Sequence, residues 1–195
     1  MNEWGRLKLV TAPAADPVTL AEAKKHLRVM HDDEDALISM LIKAAAAQIE
    51  GPSGIGVALV TQTWRLSLDG FPCEIEIPLT PVSAVDSVTF KDAAGADVAF
   101  TDFAVDLDAS PTLVAPAYGA TWPVPRCERG SVKVEFTAGY GAPSDVPADL
   151  RAAVLLIVGH LYENREAVVL SNQQPFEMPM AVDSILNRYR VGRFG

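Results

Sequence analysis

Cysteine is scarce in this chain: Cys73 and Cys127 are the only two among 195 residues. Two thiols so far apart frame neither a disulfide scaffold nor a zinc site, so reduced, intracellular thiols are expected. Positive charge is also in the minority, with 16 Lys and Arg against 25 Asp and Glu and a formal net charge of −9. That balance argues against a surface built to grip nucleic acid, which needs clustered cations. Long apolar runs are missing too. The longest, "AAVLLIVG", falls far short of the roughly 20 residues a spanning helix needs. The opening "MNEWGRLKLV" lacks the basic-then-apolar pattern of a signal peptide, so a soluble protein is expected.

Catalytic signatures are missing as well. No G-x-S-x-G elbow occurs, and neither cysteine stands in a nucleophile motif. "GPSGIG" follows a helical pattern rather than a strand and is not succeeded by Lys-Ser or Lys-Thr. It reads as a helix stop, not as a phosphate loop. The stretch "HLRVMHDDEDALI" sets His26 and His31 beside Asp32, Asp33, Glu34 and Asp35. A calcium loop needs alternating ligands, a central glycine and a distal glutamate, none of which is present. The two histidines are five apart across a break and do not share a helical face. Acidic residues where a helix begins are instead stabilised by its free N–H groups and dipole, which is the expected role here. His160 lies in an apolar helical pattern, where a packed histidine is the ordinary case. An enzymatic alternative remains: a small metal-dependent hydrolase using His160 with Glu163, or the Asp32–Asp35 cluster. No catalytic, metal-binding or cofactor-binding residue is otherwise singled out.

What is present is a change of period along the chain. Thr19 followed by Glu22 forms a capping box, and "LAEAKKHL" then carries helical spacing. In "DEDALISMLIKAAAAQIEG", Leu37, Ile38, Leu41, Ile42, Ala45 and Ile49 share one face of a second helix. Gly51, Pro52 and Gly54 end it. From about Leu59 to Thr137 the period becomes 2, as in "TWRLSL", "EIEI", "VTFK", "FAVDLD" and "SVKVEFT", with turn signals between. About six short, mostly antiparallel strands are expected. "SPTLVAPAYGATWPVP" reads as a long Pro- and Gly-rich connection. Helical spacing resumes in "ADLRAAVLLIVGHLYENRE", which is apolar nearly all round. Such a helix must be covered nearly all round, by its own core or by another copy of the chain. Leu155, Leu156 and Tyr162 are the candidate subunit-interface residues. Residues 167–178 read as a polar loop, and "PMAVDSILNRYR" as a short last helix before the basic, aromatic end "RYRVGRFG".

Taken in order, "VTLAEAKKHLRVMHDDEDALISMLIKAAAAQIE", "IPLTPVSAVDSVTFKDAAG", "VKVEFTAGYG", "VPADLRAAVLLIVGHLYENRE" and "ILNRYR" resemble the head–tail connector (adaptor) proteins of long-tailed phages, prophages and gene transfer agents. The resemblance implies an α+β fold: a small helical bundle over residues 1–54 and 138–195, with a mostly antiparallel β domain inserted at 55–137. It implies a structural virion protein without cofactors, forming a ring, commonly a dodecamer, beneath the portal protein. Such a ring extends the DNA channel, lets DNA pass without sequence-specific contacts, and offers a docking site for tail completion or stopper proteins. It would act at the head–tail interface of the virion, and in the host cytoplasm during assembly. The family's C-terminal segment reaches onto the portal, which makes Arg188, Tyr189, Arg190, Arg193 and Phe194 the portal-contact candidates here. Aromatic and Arg side chains suit such anchoring.

Overall fold

Thr19 accepts a hydrogen bond from the Glu22 N–H at 3.2 Å, and the Glu22 carboxylate accepts from the Thr19 N–H at 2.8 Å. This reciprocal cap starts helix α1, Leu20–Leu27. The computed structural model describes residues 6–164 and 180–190. Helix α1 ends where Arg28 takes a left-handed conformation, and α2, Asp35–Ile49, follows. Its buried residues Ile38, Ile42, Ala45, Ala46 and Ile49 repeat at helical spacing. Leu37 and Leu41 from the same expected stripe lie half-buried beside them.

The helical layer is completed by α3, Ala148–Glu163, and α4, Met180–Leu186. Leu150, Ala153, Val154, Ile157 and Val158 of α3 pack with the α2 stripe, Val18, Val182 and Leu186 in one core. Replacing such a side chain, Ile42 for instance, by Ala removes about 2–5 kcal/mol. The loop expected over 167–178 lies outside the described residues.

Eight strands are present among the described residues: β1 Leu7–Thr11, β2 Gln62–Leu68, β3 Ile75–Ile77, β4 Val82–Lys91, β5 Asp97–Phe100, β6 Phe103–Asp106, β7 Thr112–Pro116 and β8 Val132–Ala138. They form a five-stranded sheet, β1-β2-β8-β4-β5, and a three-stranded one, β3-β7-β6. Every pairing within the sheets is antiparallel. The fold is α+β, as expected. The strand count differs from the expected six in two instructive places. Strand β7 lies inside the Pro-rich stretch read as a connection. Its prolines, Pro111 and Pro116, sit before and at the end of the strand, where no ladder N–H is lost. Strand β1 precedes the first helix and forms an edge of the large sheet. Most of it is exposed, so no buried alternation marks it.

The two sheets enclose a second core. Trp64, Leu66, Val88, Val134 and Phe136 from the large sheet meet Ile75, Ile77 and Val114 from the small one. Arg65 and Glu135 pair across β2 and β8 on the opposite, solvent side, as the period-2 pattern requires. Helical and β parts are joined by residues 55–60, all buried. Val57 makes isolated parallel bridges to both Glu50 and Thr80. At the same junction Gly139 holds φ 124°, and a Cβ there would lie 2.5 Å from the Val60 carbonyl oxygen. Only glycine fits.

Candidate interaction surfaces

Carboxylates organise the helical part, and those that follow α1 tie helices together. Lys24 Nζ reaches both Asp32 and Asp35, at 2.6 Å each. Its hydrogen bond and charge hold the Asp32 carboxyl below the ordinary carboxylate range. Asp33 lies 3.6 Å from His31. Asp35 opens α2, as an acidic residue in the first turn, but Glu34 at the cap makes no side-chain bond to the helix. It accepts instead from the Tyr162 hydroxyl, tying the start of α2 to the end of α3. The acidic run is therefore a structural node shared by three helices. Among the described residues, no group of three or more His, Cys, Asp or Glu is placed to hold a metal ion.

His160 has its Nδ1 3.3 Å from the Asn164 side-chain amide, across the end of its own helix. Glu163 is exposed. At the other end of the bundle, Glu22 pairs with Arg151, so the first turn of α1 is fastened to α3. The bond from the Thr19 backbone, then its side chain, lowers the Glu22 pKa, with Arg151 adding to the same effect.

Of the portal-contact candidates, Arg188, Tyr189 and Arg190 lie within the described residues; Arg193 and Phe194 lie outside them. The Tyr189 hydroxyl donates to Asp149 Oδ1 at 2.7 Å, and Arg188 approaches Asp149 Oδ2 at 3.4 Å. Asp149, in the first turn of α3, thus clasps the residues that follow α4. The hydrogen bond to this carboxylate, then burial, pushes the Tyr189 phenol up to about 12. Arg190 is exposed. The sequence offered no sign of this clasp, because its partners stand 40 residues apart.

Leu155 and Tyr162, seven residues apart, share one face of α3, and Leu156 lies about a quarter turn away. Leu155, Leu156 and Tyr162 are half-buried and pack against the helical core. The core stripe of α3 is fully covered by the chain itself, while these three keep part of their surface. Other apolar surface was not anticipated. Met40 on α2 is 59% exposed, and Tyr118 and Val124 project from the connection after β7. That connection is held by Trp122, stacked on Phe71 with ring centroids 4.5 Å apart and donating to the Cys73 carbonyl at 3.2 Å.

A family model described as phage gp6-like head–tail connector protein matches residues 17–95. This covers α1, α2, β2, β3, β4 and the β4–β5 turn. Solved structures extend the likeness to nearly the whole chain. A chain from the neck of an empty gene transfer agent (GTA) particle, computed with C6 symmetry, is 28% identical with a TM-score of 0.79. One from the virion of a native GTA particle is 29% identical with a TM-score of 0.77. A third, from a native GTA neck computed with C12 symmetry, is 27% identical with a TM-score of 0.69. In all three, 97% of this chain and 97% of the other are covered. No curated protein sequence matches.

Proposed function

We infer that this chain, like the phage gp6-like head–tail connectors whose family model it matches and the GTA neck chains whose fold it shares, is a structural connector at the head–tail interface of a particle. The observation that carries the reading is coverage. The family model stops at residue 95, yet the likeness to the neck chains runs through the β region, α3 and α4 at close to full length on both sides. The β insertion is therefore part of what resembles a neck protein, not an unrelated addition. We assign the chain no catalytic role. The proteins it resembles are structural, and the Asp32, Glu34 and Asp35 carboxylates serve as ties to Lys24 and Tyr162.

The finer reading is a closed ring, a dodecamer in the particle, set between the portal protein and a tail completion or stopper protein. Heterologous contacts that close by rotation bury two different faces of each copy. The exposed parts of Leu155 and Leu156 belong to one such face in this reading. Arg188, Tyr189, Arg190, Arg193 and Phe194 are the portal contacts in this reading, and the clasp at Asp149 holds the first two of them against α3. Twelve copies at −9 each bring on the order of a hundred negative charges to the ring, and those facing the channel keep DNA from adhering to its wall. Lys residues introduced on the channel side are expected to slow DNA release. The genetic test is direct: particles produced without this chain should accumulate as DNA-filled heads lacking tails. Normal tailed particles from such a strain would contradict the assignment.

A further inference from the structure

We propose that neighbouring copies of this chain join edge to edge through their large sheets, with β1 of one copy beside β5 of the next; this rests on the ring reading above. The first observation is a mismatch in width. A five-stranded sheet is covered by one of three strands, so the core side of its outer strands is left partly bare. Leu9 on β1 pairs with Trp64, and Val98 on β5 pairs with Phe90. Both therefore point to the core side, yet they remain 39% and 37% exposed. The defect occurs at both free edges, and each supplies what the other lacks.

The second observation is charge. On the solvent side of β1 stands Lys8, exposed and opposite Arg65. On the solvent side of β5 stands Asp97, opposite Lys91; it accepts from Lys133 Nζ at 3.3 Å within the chain and keeps 56% of its side chain exposed toward the free edge. Lys8-Leu9 and Asp97-Val98 are thus matched dipeptides: cation beside anion on one face, apolar beside apolar on the other.

Direction agrees with a ring. All four ladders from β1 to β5 are antiparallel, so β1 and β5 run the same way. Rotation about a ring axis preserves strand direction along that axis, which makes the new contact a parallel pair. Neither LKLVT nor DVAF contains proline, so no backbone donor is missing from either edge. Lys8 is also a residue type that guards free edges against pairing. Here it guards against like edges, because β1 on β1 would set Lys8 against Lys8, while leaving β5 acceptable.

Dimensions can be checked. Five strands at about 4.8 Å span about 24 Å, and twelve such sheets with strands inclined by about 30° close at a mean radius of about 53 Å, ample for a duplex to pass. Across the sheet, Lys8 is level with Glu135, whereas Asp97 lies near the level of Ser131, four residues along β8. Bringing Lys8 beside Asp97 therefore requires a slip of about 13 Å per copy. Over a 24 Å width that inclines the strands by about 30° to the axis, close to the tilt of closed barrels.

The test uses the full chain assembled with its portal. With Cys73 and Cys127 replaced by Ser, the pair Leu9→Cys and Val98→Cys is treated with a short thiol-to-thiol cross-linker. A ladder of covalent multimers reaching the ring number is expected from the pair, and monomer only from either single variant. Lys8→Glu or Asp97→Lys alone should lower ring yield about tenfold, and their combination should restore it. Circular dichroism of the free variants establishes that they remain folded. Rings that form without a ladder, and that tolerate both single reversals, would overturn edge pairing and leave the connector reading intact. Failure of the unaltered chain to form any ring with its portal would overturn both.

Discussion

Tyr189→Phe deletes one hydroxyl from the Asp149 clasp and keeps the ring that packs on the helical core. The wild-type hydroxyl donates to Asp149 Oδ1 at 2.7 Å, and its pKa moves from 10.0 to about 12. A shift of two units corresponds to about 2.7 kcal/mol if fully realised, and a hydrogen bond to a charged group is worth about 1.5–3 kcal/mol. The clasp lies at a half-exposed position, where solvent screening reduces such values, so a loss of about 1–2 kcal/mol is expected. For a chain of this size that lowers Tm by about 2–8 °C. The sign with pH follows from the raised pKa. The contribution is complete below the unfolded value of 10.0 and disappears as pH rises through about 12. Denaturation of the two proteins from pH 8 upward should show a constant gap that closes only in strong alkali. Tyrosinate absorbance should lose its most alkaline phenol in the variant. Equal stability at pH 8, together with unchanged phenol titration, would refute the clasp.

At the junction, Gly139→Ala places a Cβ 2.5 Å from a carbonyl oxygen at φ 124°; denaturant unfolding should show a loss above about 3 kcal/mol. Gly70→Ala, where nothing lies within 4 Å, should be close to neutral in the same assay. Glu50 is held above the ordinary Glu range by burial, although it accepts from Leu59 N–H at 2.8 Å and Gln62 at 2.9 Å. A raised carboxyl pKa stabilises the fold at low pH and loses that contribution as pH rises through the folded value. Glu50→Gln keeps an accepting oxygen without the charge, so stability at pH 8 should equal or exceed wild type, and a loss above about 1 kcal/mol would contradict this. Leu156→Glu on the half-buried side of α3 should leave circular dichroism unchanged while abolishing ring formation, and intact rings would remove α3 from the subunit interface.

Local chemistry was legible in the sequence. The Thr19–Glu22 cap needs residues three apart, and the α2 stripe and the β2 and β8 alternations are short-range patterns. What escaped reading depends on partners distant in the chain. Lys24 reaches past a helix end to Asp32 and Asp35, Tyr162 meets Glu34 across 128 residues, and Asp149 meets Tyr189 across 40. Strand β1 escaped because an edge needs no buried face, and β7 because Pro111 and Pro116 resemble turn punctuation when the sheet is unseen. The apolar circumference of α3 was read correctly as composition. The sequence could not apportion it between the chain's own core, which takes Ala153, Val154, Ile157 and Val158, and the surface kept by Leu155 and Leu156.

Electron microscopy of the purified chain mixed with its cognate portal tests the connector assignment most directly. A symmetric collar, twelve-fold around the axis, is expected at one end of the portal and continuous with its channel. Portals that remain bare at saturating concentrations of the folded chain would contradict it.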